Sequence, residues 1–129
     1  MKARIGIMSE ELIRVRMLAI ASGRYKPEPD EPKVWYTSLA AIAQTLRPEN
    51  IELLRLIDRE RPESLSELSK LTGRATSNLS NTLHKLESKG FLRLEKKSHR
   101  KVKPVALFTD FEIITGEELT ARFCALKAA

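Results

Sequence analysis

Apolar residues recur at helical spacing through most of this chain, and switch to every second position only in short runs. That alternation of periods predicts a helical body with a small β-element. Residues 4–8, Arg-Ile-Gly-Ile-Met, read as a short strand. Ser9 suits the N-cap of a helix with Leu12, Val15 or the Arg16 stem, and Ala19 on one face, fading at Ser22-Gly23. Residues 22–33, SGRYKPEPDEPK, hold three of the six prolines and read as an extended linker. Val34-Trp35-Tyr36 opens the body. Ser38 is a plausible cap for a helix over residues 39–46, with Leu39, Ile42 and Leu46 inward. Pro48 suits the first position of the next helix and Glu49 its positive end. Ile51, Leu54 and Ile57 form that helix's stripe, widened by Leu53 and Leu56, and Arg61-Pro62 ends it.

Ser64-Leu65-Ser66-Glu67 matches a capping box, in which the Ser hydroxyl and the Glu carboxylate satisfy each other's backbone N–H groups. It starts a short helix with Leu65, Leu68 and Leu71 inward. Gly73 follows, a residue able to take the left-handed geometry of a tight turn. A second helix over about 76–88 buries Leu79, Leu83 and Leu86, and Gly90 stops it. The period then becomes two. Residues 91–95 form a strand, KKSHRKVK a loop, 104–108 a returning strand, and 111–114 a third. A short amphipathic helix after Gly116 carries Leu119, Phe123 and Leu126.

Short helix, tight turn, second helix and two-stranded hairpin make a winged helix-turn-helix. The fold class expected is mainly α with a small β-wing and an N-terminal strand/helix arm. The organisation expected is an arm (1–21), a Pro-rich linker (22–33), a DNA-binding winged domain (34–115), and a C-terminal short helix or tail (116–129).

Charge sharpens this picture. The net charge is +6, and residues 84–103 alone carry eight Lys or Arg against two acids, so the rest of the chain is balanced. A local basic field on a neutral body suits a polyanion. With Leu79, Leu83 and Leu86 inward, the second helix presents Arg74, Thr76, Ser77, Asn78, Asn81 and Lys85 outward, with no acid before Glu87. Asn can pair bidentately with adenine, Ser bonds either way, and Arg suits guanine or phosphate. The hairpin would lay Lys96, Lys97, His99, Arg100, Lys101 and Lys103 along the backbone of double-stranded DNA.

Other chemistry finds little support. One cysteine, Cys124, permits no internal disulfide and reads as a small core or interface residue in a reducing compartment. His84 and His99 are the only histidines, so no metal or cofactor is expected. Phosphate-cradling glycine loops and catalytic triads are missing, and Asp58/Glu60 and Glu117/Glu118 read as solvated charge, so no enzyme is expected. Trp35 reads as packing. No run approaches the roughly 18 apolar residues of a membrane span, and the start, MKARIGIMSEEL, does not read as a signal peptide. A cytoplasmic protein is expected.

The motifs IGIMS, YKPEPDEPKVWYTSL, LRPENIELLRLI, SLSELSKLTGR, SNLSNTLHKLESKGFLRLE and PVALFTDFEI resemble the MarR-like winged-helix regulators. More narrowly, they resemble a small subgroup paired with a toxin as antitoxin. The resemblance implies a homodimeric repressor that binds its own promoter and neutralises a cognate toxin. Relatives often carry Arg where this chain has Asn81, and Ser-Pro or Lys-Pro where it has Ala75-Thr76, which implies a different operator and a helix start without its usual cap. An arm with exposed apolar residues can add a strand or helix to a partner. The alternatives are a MarR-type ligand-responsive repressor without a toxin, or an RNA- or protein-interaction winged helix.

Overall fold

The computed structural model describes residues 1–99 and 101–128. In chain order its elements are β1 (Lys2–Ile7), α1 (Glu10–Ala21), β2 (Val34–Tyr36), α2 (Leu39–Thr45), α3 (Pro48–Glu60), α4 (Leu65–Thr72), α5 (Thr76–Ser88), β3 (Leu92–Lys96), β4 (Val102–Ala106), β5 (Asp110–Ile114) and α6 (Glu117–Ala128). Six helices and two small sheets make an α/β fold. The chain divides into two compact units, one of residues 3–42 and 111–129, the other of residues 1–2 and 43–110.

In the first unit the three-stranded sheet has the order β2-β1-β5, and β1 runs parallel to β2 with Gly6 opposite Trp35. The Ser9 hydroxyl accepts the Leu12 N–H at 3.3 Å, and Glu10 and Glu11 sit in the positive first turn of α1. Leu12, Arg16 and Ala19, spaced along one helical face, are buried. Helix α6 packs on α1, and Phe123 is fully buried against Met8 and Leu12. Its ring meets Tyr25 and Trp35 edge-on, at centroid distances of 5.4 and 5.7 Å.

Residues 22–33 are irregular but are not a tether. Glu31 and Pro32 are buried, and the Glu31 carboxylate gathers the chain around it. It accepts Arg16 Nε at 2.6 Å, the Tyr25 hydroxyl at 2.5 Å and the Glu28 N–H at 3.1 Å, with Arg122 at 3.6 Å. The expected arm, linker and tail thus pack together. The compact unit also takes β2, most of α2 and most of β5, which the sequence assigned to the winged domain. Strand β1 lies between β2 and β5, so neither of its edges is open to add a partner's strand. Strand β5 joins β1 rather than the hairpin. Cys124 is exposed, not in the core.

Gly6 is where the Trp35 ring lies on the sheet: a Cβ there would stand 2.2 Å from the ring. Gly6→Ala should therefore destabilise by about 1–3 kcal/mol or more, while Gly116→Ala, with open space around it, should be near neutral. Urea unfolding followed by Trp35 emission, the chain's one tryptophan, measures the contrast.

In the second unit α3 buries Leu53, Leu54 and Ile57, and α4 and α5 bury Leu68, Leu79, Leu83 and Leu86. Phe91 and Leu92 complete this core. The hairpin β3–β4 is antiparallel, with Leu92 opposite Ala106 and Lys96 opposite Val102. Two expected inward leucines are exposed: Leu39, first residue of the seven-residue α2, and Leu71, in the last turn of α4. Each lies at a helix end, where the buried stripe runs out.

Candidate nucleic-acid interface

The turn between α4 and α5 is held by local polar bonds. The Ser64 hydroxyl accepts the Glu67 N–H at 3.1 Å. The Glu67 carboxylate reaches back to the Glu63 N–H at 3.1 Å, one residue earlier than the expected reciprocal box. Gly73 takes the left-handed conformation at φ 73°. The Ser69 hydroxyl then donates to the Arg74 carbonyl at 2.6 Å, and the Arg74 N–H donates to Thr72 Oγ1 at 3.2 Å. Ala75 precedes α5 without a side-chain cap.

Helix α5 keeps its leucines inside, and Thr76, Ser77, Asn78, Asn81 and Lys85 are exposed. Arg74 is half-buried and folds back along the helix, donating from Nε to Asn78 Oδ1 at 3.0 Å and from Nη2 to Thr82 Oγ1 at 3.3 Å. Glu87, the helix's acid, is turned into the hairpin, where its carboxylate accepts the Leu94 N–H at 2.8 Å. The outward face therefore carries hydroxyls, amides and cations without a compensating anion. His84 is exposed, and its Nδ1–H donates to the Ser80 carbonyl at 2.7 Å.

Beside this face runs a groove of about 600 Å³. Arg74, Asn78, Asn81 and Lys85 line one wall, and Gln44, Arg47, Glu49 and Asn50, from the α2–α3 elbow, line the other, with Arg47 Nε paired to Glu49 at 2.9 Å. Sequence reasoning missed the elbow. Arg47 stood out there only as the residue before a helix-starting proline, and nothing local says that it faces α5.

In the hairpin, Lys96, Lys97, His99 and Lys101 are exposed. The loop is closed by the Lys97 N–H to the Lys101 carbonyl at 2.9 Å. Arg100, expected among them, lies outside the described residues. Lys97 approaches Glu95 at 3.7 Å, an exposed pair of small energetic weight. Lys96 and Val102 face α5 across a cleft shared with Leu83 and His84. Side chains alternate along a strand, so Glu95 and Lys103 face the other way, beside Ile57, Asp58 and Arg61. There the Lys103 ammonium pairs with Glu63 at 3.3 Å. Lys103, expected among the phosphate-facing cations, is thus partly covered and held by an acid, whereas Lys96 and Lys101 are exposed.

Among the described residues no His, Cys, Asp and Glu are grouped to hold a metal ion, and no helix is long and apolar enough to cross a membrane.

The span from the end of α2 into β5, residues 45–113, matches the HVO_A0114 family model. That is more than half of the chain, and the protein belongs to this family. No curated protein matches it.

Proposed function

We propose that this protein is a sequence-specific double-stranded DNA-binding regulator, with α4 and α5 as its helix-turn-helix and β3–β4 as its wing. The observation that carries the reading is the outward face of α5. A solvated helix ordinarily alternates acids and bases, whereas this one offers Ser77, Asn78, Asn81 and Lys85 with its acid withdrawn. These are the side chains that read base edges from the major groove. Lys96, Lys97 and Lys101 stand on the neighbouring hairpin to meet phosphates.

The resemblance to MarR-like antitoxins extends the proposal. The protein would act in the cytoplasm as a homodimer, repress its own promoter and neutralise a toxin encoded beside it. A gel shift on the duplex upstream of its own gene tests both parts. The expected result is a retarded band competed by the same duplex but not by a scrambled one, and altered by the neighbouring gene's product. Equal competition by both duplexes refutes sequence-specific binding, and indifference to the neighbour's product refutes the antitoxin role.

A further inference from the structure

Arg74 occupies an unusual position for a residue expected to touch DNA, because much of its bonding capacity is spent within the protein. Its carbonyl and N–H are tied to Ser69 and Thr72, and its guanidinium to Asn78 and Thr82. A guanidinium has donors only. Asn78 can meet it only with the amide oxygen, since the reversed amide would set N–H against N–H. The Asn78 Nδ2, with its two N–H groups, is then the end left free on the exposed face of α5.

We propose that Arg74 is a positioning residue that makes Asn78 a donor-only reader, so that the base it selects is guanine and not adenine. The proposal rests on the DNA-reading function argued above. The adenine pair needs the Asn oxygen to accept from the N6 amino group while Nδ2 donates to N7. Here one of that oxygen's two lone pairs already serves Arg74, and the adjacent guanidinium charge repels an amino group approaching the other. Guanine presents two neighbouring acceptors, N7 and O6. An Nδ2 N–H pointed between them can be shared by both, and the same positive charge attracts them.

Site selection by the full-length chain from a randomised duplex pool tests this. Wild type should select guanine over adenine by about tenfold at one position per half-site, the scale of one good base contact. Arg74→Ala frees the Asn78 oxygen, and the preference at that position should swing to adenine while the other positions keep theirs. Asn78→Asp, which keeps the bond to Arg74 and so keeps the turn, removes both donors. Its preference should move to cytosine, whose N4 amino group a carboxylate accepts. An unchanged preference in both variants, or a wild-type site built on adenine at that step, overturns the positioning role while leaving DNA reading intact. A wild type that binds every duplex in the pool equally overturns the DNA-reading function as well.

Discussion

Glu31→Ala should cost about 3–5 kcal/mol of stability, the scale for breaking a buried ion pair from one side. The Glu31 side chain is fully buried and the Arg16 side chain only 9% exposed, with 2.6 Å between them. The Arg16 guanidinium also lies 5.3 Å from the Trp35 ring centre and 5.8 Å from that of Phe123. Alanine at position 31 leaves that cation among aromatic rings without its carboxylate, and the Tyr25 hydroxyl and Glu28 N–H without their acceptor. Arg122, one-third exposed, can turn to water; Arg16 cannot. Replacing both partners with apolar residues, as in Arg16→Met with Glu31→Leu, should cost less than Glu31→Ala alone, because no buried charge is stranded. Urea unfolding read by Trp35 emission measures all three proteins.

The same carboxylate sets an acid limit. Burial by itself pushes the Glu31 carboxyl up, but the bonds from Tyr25, Arg16 and the Glu28 N–H outweigh it and hold the group below its ordinary value of 4.5. A folded-state value below the unfolded one stabilises the fold above the unfolded value, and that stability is lost as pH falls through the folded value. Wild type should therefore lose stability below pH 4.5, and Glu31→Gln should flatten that part of the curve.

This network marks the limit of what the sequence shows. Ser9, Ser64, Gly73 and the leucine stripes of α3 and α5 are legible because caps, turns and helical faces are local chemistry. The outward face of α5 follows directly from its inward one. Glu31 sits in a proline-rich acidic stretch that composition reads as solvated. What makes it structural is Arg16 and Arg122, on helices 15 positions before and 91 after it, and no local pattern announces such a meeting. Arg47 was missed for the same reason. Lys103 failed differently. As part of a charge run it looked equivalent to Lys101, but strand register sets it opposite Glu95, where Glu63 also reaches it, and register is set by pairing rather than by composition.

That register gives the hairpin its own test. Replacing Lys96, Lys97 and Lys101 together with alanine should reduce the slope of log affinity against log salt by about 2.7 per bound chain, at roughly 0.9 per phosphate contact. At about 0.1 M salt this is a loss on the order of 500-fold in DNA affinity. The ratio between specific and scrambled duplexes should stay nearly constant, because phosphate contacts carry no sequence information. Lys103→Ala is the internal control. Its ammonium is paired with Glu63, so the slope should not move. Anisotropy titrations of a labelled duplex across a salt series read both. An unchanged slope in the triple variant places the hairpin away from the phosphates, and a slope reduced by Lys103→Ala alone shows that Lys103 leaves Glu63 for a phosphate.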